Sequence, residues 1–161
     1  MIMPELVAPT TELRTAWLDA HDEWGPGAHE DGFGLRPTDR VDTPAGFAAW
    51  VARLTAEAGC AHWWIVEDGR VLGGIALRHG DDDLVHRLGH VGYGIRPSAR
   101  RRGLAGWALG RVLDEARALG LDRVLVVCEA DNTASARTVE RHGGVPEDSG
   151  SAAVLRYRIP L

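Results

Sequence analysis

The sequence predicts one domain of the α/β (α+β) class, with helices on both faces of a single mixed sheet. Segments with helical spacing alternate with short apolar runs, in the order strand, two helices, three strands, helix, strand, helix, strand. The 161 residues are 45% hydrophobic and 25% charged, which suffices for one substantial core. No internal repeat interrupts this order, so residues 1–161 are expected to form a single domain.

The first part of the chain predicts a strand and two helices. An apolar run over 4–9 is a strand candidate, and 10–24 has helical spacing after a threonine cap signal. Residues 25–44 are rich in Gly, Pro and Asp, and a connection of that length in a compact domain is usually functional or disordered. In the second helix, over 43–59, Thr43 is the expected cap and a proline follows it.

The rest of the chain predicts five strands and two helices. Residues 62–79 predict a β-hairpin, because two apolar runs flank an Asp-Gly pair. Residues 86–97 predict a third extended segment, and 101–120 predict a long helix with one apolar face. The continuous apolar run over 122–130 is typical of a strand that is buried on both faces. A short helix over 132–144 and a strand over 152–160 complete the pattern.

Composition excludes several classes of protein. The net charge of −5 and the pI of about 5.8 argue against a nucleic-acid partner. No apolar run approaches the roughly 18 residues of a membrane span, and the N-terminus lacks a secretory pattern, so we expect a cytoplasmic protein without a membrane partner. The spacing of Cys60 and Cys128 predicts neither a disulfide framework nor a metal site. All 18 basic residues are arginine, which excludes Schiff-base lysine chemistry.

A basic loop, in which three arginines are followed by mostly small residues, lies where the strand over 86–97 gives way to the helix over 101–120. It consists of Arg100, Arg101, Arg102, Gly103, Leu104, Ala105 and Gly106. Unpaired N–H groups in the first turn of a helix bind anions, and small residues let a phosphate reach the backbone. Guanidinium groups add donors that match phosphate oxygens. We therefore interpret 100–106 as a phosphate site rather than a solvated basic turn.

The spacing of this loop excludes two common phosphate motifs. The glycines do not form Gly-x-Gly-x-x-Gly, and the next strand does not end in an acidic residue at the dinucleotide distance. The Gly-Lys-Ser/Thr element of ATPases is absent.

The pattern Arg100-x-x-Gly103-x-Ala105 resembles the acyl-CoA pyrophosphate motif of the GNAT superfamily of N-acetyltransferases, Gln/Arg-x-x-Gly-x-Gly/Ala. The segment "GYGIRPSARRRGLAGWAL" is similar to the fourth strand, phosphate loop and third helix of that family. The segment "VLVVCEADNTASARTVERHGG" is similar to its fifth strand and fourth helix. The resemblance covers about 62–145, and it is strongest to a bacterial subgroup of predicted acetyltransferases without assigned substrates.

The resemblance implies the position of acetyl-CoA, the expected co-substrate. Loop 100–106 would bind the pyrophosphate, and the strand that ends at Ile95, with Tyr93, would pair with the pantetheine arm. The fourth and fifth strands would splay into a V that holds the thioester. Asn132 and Ser135 would face the arm from the other side, although the residues alone fit a helix cap and a plain helix position.

The resemblance also implies direct attack of an amine on the thioester. Relatives place a glutamate base near Gly89, and the neighbouring His90 is our first candidate for the base, followed by His79 and Glu129. The tyrosine acid of many relatives is replaced by valine at position 139. Either another group, Tyr93 or Tyr157, protonates the leaving thiolate, or it leaves unassisted.

The acceptor is expected to be a primary amine of a small molecule or peptide. The connection between the first two helices carries acidic and aromatic residues that would suit a cationic amine: Asp22, Glu23, Trp24, His29, Glu30 and Asp31. A homodimer remains open as the assembly. Two other classes of protein also remain open, a non-catalytic acyl-CoA-binding protein of the same fold and a different anion- or nucleotide-binding module.

Overall fold

The computed structural model describes residues 2–25, 32–80 and 83–161. The strands are β1 (Glu5–Val7), β2 (Cys60–Glu67), β3 (Arg70–Arg78), β4 (Val91–Ile95), β5 (Arg123–Glu129), β6 (Val145–Glu147) and β7 (Val154–Pro160). The helices are α1 (Arg14–Trp24), α2 (Pro44–Ala56), α3 (Asp83–Leu88), α4 (Leu104–Ala118) and α5 (Thr133–Arg141). Short 3-10 turns cover Thr11–Leu13 and Pro97–Ala99.

The strands confirm the predicted α/β class and divide at the expected place, but the expected single mixed sheet is two sheets whose described strand pairs are all antiparallel. Strands β1-β2-β3-β4 form one antiparallel sheet, and β5-β7-β6 form another. An isolated bridge between Gly89 and Val126 joins the two sheets just before β4 begins. From that point β4 and β5 share no ladder, so a V opens between them.

Two hydrophobic cores lie on opposite faces of the first sheet. One core packs α4 and α5 against the strands, with Leu109, Val112 and Ile75 fully buried. The other packs α1 and α2 and is largely aromatic, with Trp17 and Trp64 at its centre. Burying each such large side chain stabilises the fold by about 1.5–3 kcal/mol. Across the described ranges, none of the helices combines the length and the apolar character needed to cross a membrane.

Local sequence signals explain several element boundaries. Thr43 caps α2, because its hydroxyl accepts a hydrogen bond from the Gly46 N–H at 3.0 Å. The hairpin between β2 and β3 turns at Asp68 and Gly69, whose φ angles of 51° and 72° fit the predicted tight turn. These two predictions are confirmed.

Three element predictions were wrong. The expected extended segment over 86–97 is helical at its start, because α3 runs to Leu88 and ends at Gly89 with a φ of 82°. A six-residue helix is too short to show helical periodicity in the sequence. Helix α4 begins at Leu104 rather than at residue 101, and the exposed three-residue strand β6 was missed.

Candidate functional site

A cavity of about 550 Å³ opens between β4, the start of α4 and α5. Its volume falls within the range of small-molecule sites. It is lined by Tyr93, Gly94, Ile95, Ala99, Arg100, Arg101, Gly103, Leu104, Ala105, Gly106, Asn132, Ala134, Ser135, Arg137, Thr138 and Arg141. The fold therefore brings most of the predicted cofactor residues to one wall or another of the same cavity.

Among the described residues, four arginines and no carboxylate line this cavity, in a protein whose net charge is −5. Arg100 and Arg101 come from the predicted loop. Arg137 and Arg141 come from α5, and sequence reasoning missed them. Their i,i+4 spacing places them on one face of that helix, which is the signal that could have identified them. The cavity therefore suits a ligand with several negative charges.

The backbone of the loop is arranged for anion binding. Gly103 precedes α4 with a φ of 77°, and no side chain of the described residues caps the helix there. The first turn of this 15-residue helix lines the cavity, and its N–H groups lack a side-chain cap there among the described residues. Arg101 has a φ of 64°, a left-handed conformation that is costly for a non-glycine residue and that recurs at ligand-binding sites.

The three loop arginines have different positions. Arg100 lines the cavity, and its Nε donates to the Ile95 carbonyl at 2.9 Å, which fixes the end of β4. Arg102 does not line the cavity. Its Nη2 lies 2.8 Å from each carboxylate oxygen of Glu67, so this arginine is held by the hairpin between β2 and β3.

Tyr93 and Ser135 meet across the opening of the V. The Tyr93 hydroxyl and Ser135 Oγ are 2.7 Å apart. Burial raises the pKa of Tyr93, so the phenol is protonated at neutral pH. Asn132 lines the cavity as well, but its side chain accepts a hydrogen bond from the Ser135 N–H at 3.1 Å and so caps α5. Its ligand role remains a prediction.

Cys128 and Tyr157 lie near this pair without lining the cavity. Burial raises the pKa of Cys128, which a hydrogen bond with Ser135 partly offsets. Tyr157 is 5% exposed, and its hydroxyl donates to Glu140 Oε1 at 3.0 Å. Of the two tyrosines considered as acids, only Tyr93 therefore reaches the cavity.

His90 lies just before β4 rather than within it, at the closed end of the V. Its Nδ1 accepts a hydrogen bond from the Leu125 N–H at 2.8 Å, so the proton of the neutral ring is on Nε2. Burial and the charges of Arg123 and Arg156 lower the pKa of His90. The neutral ring then has no free lone pair, an arrangement that suits a structural contact better than a general base.

The other two base candidates lie away from the cavity. His79 is exposed just after β3, and its N–H donates to the Gly59 carbonyl at 2.7 Å. Glu129 is exposed at the end of β5, where its carbonyl accepts from the Asn132 N–H. None of the three candidates is among the lining residues, and their catalytic roles stay predictions.

Two residues of the expected acceptor surface, Glu23 and Trp24, have structural partners instead. Glu23 accepts hydrogen bonds from the Ser98 N–H and hydroxyl, both at 2.7 Å, and pairs with buried Arg96 at 3.0 Å. Burial alone would raise the pKa of Glu23, but these hydrogen bonds and the arginine charge lower it to about 2. Trp24 is buried in the aromatic core, while Asp22 is exposed. The remaining members, at 29–31, lie outside the described residues.

Comparison with known proteins identifies the class of protein. Residues 19–145 match the family model described as "Acetyltransferase (GNAT) domain". Because this match covers most of the chain, the protein belongs to the GNAT family of acetyltransferases, which confirms the resemblance found in the sequence. A comparison with curated protein sequences gave no match.

Solved structures show the same fold at low sequence identity. The ribosomal L7/L12 α-N-protein acetyltransferase RimL, solved with coenzyme A, aligns with a TM-score of 0.75 and 15% identity over 100% of this chain and 98% of its own. The microcin C7 self-immunity acetyltransferase MccE, solved with acetyl-CoA and AMP, aligns with a TM-score of 0.73 and 13% identity. The alignment covers 98% of this chain and 92% of MccE. An acetyltransferase of Salmonella typhimurium that modifies the N-terminal serine of protein L7/L12 aligns with a TM-score of 0.71 and 14% identity. The alignment covers 98% of this chain and 95% of that protein.

Proposed function

We propose that this protein transfers the acetyl group of acetyl-CoA to a primary amine, by direct attack in a ternary complex. The observation that carries the proposal is the cavity with four arginines and an uncapped helix N-terminus, in a chain of this family. The neighbours RimL and MccE, whose structures contain coenzyme A or acetyl-CoA, support the identity of the donor.

The pyrophosphate is proposed to bind at the start of α4. Its oxygens would accept hydrogen bonds from the backbone N–H groups of 103–106, where the helix dipole also favours negative charge. Arg101, Arg137 and Arg141 would surround the phosphates on the remaining sides. Arg102 is not assigned to the phosphates, because it is paired with Glu67.

The pantetheine arm is proposed to lie along β4. One edge of β4 pairs with β3, and the other edge faces the V, where no ladder to β5 forms within the described residues. An extended ligand can add to such an edge by backbone hydrogen bonds. The arm would then run from the loop past Tyr93, which places the thioester near the Tyr93–Ser135 hydroxyl pair.

The reaction needs little from side chains beyond positioning and the protonation of the leaving thiolate. The neutral amine nitrogen bonds to the thioester carbonyl carbon, the carbon–sulfur bond breaks, the nitrogen gives up a proton to water, and the sulfur takes a proton. Alignment of the two reactants supplies much of the acceleration. Tyr93, protonated and hydrogen-bonded to Ser135, is the group that we propose protonates the departing thiolate.

The test is the release of free coenzyme A from acetyl-CoA with a panel of primary amines, measured against a control without acceptor. We expect release that depends on the amine, and a product whose mass is that of the acetylated amine. Acetyl-CoA binding without amine-dependent release would instead favour the non-catalytic binding protein. Absence of binding would remove the donor assignment as well.

A further inference from the structure

Three potential metal ligands meet on the face of the first sheet that lies opposite the arginine-lined cavity. Cys60 and His62 are two residues apart on β2, so their side chains leave the same face of the strand. Glu57 follows the C-terminal end of α2 and reaches the same point. One ligand atom from each residue lies within 4.8 Å of the other two.

The two distances from His62 to its neighbours in this cluster match those of a zinc coordination shell. His62 Nε2 lies 3.4 Å from Cys60 Sγ and 3.3 Å from Glu57 Oε2. A tetrahedral zinc ion held at about 2.3 Å from sulfur and about 2.0–2.1 Å from nitrogen and oxygen separates its ligand atoms by roughly 3.3–3.6 Å. We propose that Glu57, Cys60 and His62 bind a divalent cation of the zinc class, with a fourth position open to water.

The donor set and its charges fit such an ion. Burial lowers the pKa of His62, which keeps the imidazole neutral and its lone pair available. A thiolate and a carboxylate together balance the two positive charges of the ion. The Cys60 thiol must lose its proton on binding, and burial, followed by the Glu57 charge, raises its pKa to about 11, so the ion has to displace that proton.

Two arginines face the cluster and oppose a cation, but each has another partner. Arg53 lies 3.6 Å from Glu57 Oε2, yet it also binds Asp39 at 2.6 Å and the Gly34 carbonyl at 2.9 Å. It therefore stays paired when the glutamate turns to an ion. Arg78 donates to the Gly89 carbonyl at 3.2 Å, which directs it toward β4.

The ion would join the end of α2 to β2 and reach the site from solvent. The side chain of His62 is 5% exposed, whereas that of Glu57 is 27% exposed and offers an entry path. An ion that binds only the folded chain raises its stability by RT ln(1 + [L]/Kd). We therefore expect Zn²⁺ to raise the melting temperature independently of acetyl-CoA.

The test uses the full chain with its affinity tag removed and its metal stripped by a chelator. Titration with Co²⁺ should produce the near-ultraviolet charge-transfer band of a cobalt–thiolate bond, and Zn²⁺ should abolish it. Cys60→Ser should lose the band, while the matched variant of the other cysteine, Cys128→Ser, should retain it. His62→Gln and Glu57→Gln each remove a proposed ligand, so the Co²⁺ affinity should fall by at least about 10- to 100-fold. Loss of a group that only hydrogen-bonds a metal ligand already has an effect of that size.

Circular dichroism and the melting temperature without metal show whether each variant is folded. The proposal is overturned if the folded wild-type chain gives no cobalt–thiolate band. It is equally overturned if the band disappears in Cys128→Ser and persists in Cys60→Ser, or if the Zn²⁺-induced rise in melting temperature is unchanged in Cys60→Ser.

Discussion

The Nδ1 atom of His90 accepts a hydrogen bond from the Leu125 N–H at 2.8 Å, and the His90 N–H donates to the Leu125 carbonyl at 2.7 Å. One residue thus makes two contacts with β5, at the end where the V is closed. Beyond it the strands separate, so these contacts lie where the opening begins. A structural role for His90 fits these contacts better than a role as general base. The acceptor nitrogen of its neutral ring, Nδ1, already accepts a hydrogen bond from Leu125.

Replacement of His90 by alanine should lower the melting temperature and weaken acetyl-CoA binding together. The variant leaves the Leu125 N–H without its partner, a loss of about 1–3 kcal/mol for a buried polar group. Thermal unfolding and acetyl-CoA titration of the same samples measure both effects. A base role would instead leave stability and affinity unchanged, lower kcat by about 100-fold or more, and remove the acid limb of kcat/KM.

Stability should fall as the pH drops below the ordinary histidine value of 6.5, because the pKa of His90 is lowered in the folded chain. The unfolded state then binds more protons, so the free energy of unfolding rises with pH through this window and is lost as the pH falls. His62 has a pKa shift of the same direction, so His90→Ala should reduce the pH slope without abolishing it. Urea unfolding between about pH 7.5 and 5 measures the slope, and an identical slope in the variant would contradict the assignment.

Charge reversal on α5 should weaken donor binding. Arg137→Glu places a carboxylate in the cavity and removes a charge-assisted hydrogen bond, worth about 1.5–3 kcal/mol or roughly a 10- to 100-fold loss of acetyl-CoA affinity. Arg117→Glu is the matched control, because this exposed arginine lies at the end of α4 and pairs at the surface with Asp114, its one ion-pair partner in the described part of the chain. Equal losses in both variants would show a general effect of charge rather than a phosphate contact.

Substitution at the start of α4 should separate charge from backbone strain. Gly103→Glu and Gly103→Ala both put a side chain on a residue with a φ of 77°, at a similar cost in stability. Only the glutamate adds negative charge at the proposed pyrophosphate site. We expect similar melting temperatures without ligand, and acetyl-CoA binding abolished in Gly103→Glu but retained in Gly103→Ala. Normal binding by the glutamate variant would place the phosphates elsewhere.

Glu23 should contribute to stability rather than to the acceptor site. Glu23→Gln weakens the partnership of buried Arg96 and should cost about 1–3 kcal/mol at pH 7. The folded pKa of about 2 lies below the ordinary value of 4.5, so the contribution is complete above pH 4.5 and is lost as the pH falls toward 2. The difference in stability between wild type and variant should shrink over that window. If Glu23→Gln kept full stability and changed the KM for the amine, the result would contradict this structural role and indicate that Glu23 contacts the acceptor.

The sequence identified those parts of the site that depend on local spacing. The loop over 100–106 could be recognised because its glycines and arginines act within one strand–helix junction. Arg137 and Arg141 were missed because their role depends on which face of α5 turns toward that loop. The pairing of Glu23 with Arg96 joins residues far apart in the chain, and the ring of His90 is oriented by a backbone group of β5. Neither contact leaves a pattern in the sequence.

Calorimetric titration of the wild-type chain with acetyl-CoA tests the central claim most directly. The account predicts one binding site per chain, whose affinity falls in Arg137→Glu and Gly103→Glu and is unchanged in Arg117→Glu. Bound donor should also raise the melting temperature, since it binds only the folded state. No heat of binding and no thermal shift at millimolar acetyl-CoA, with a folded protein, would contradict the assignment of this cavity to the donor.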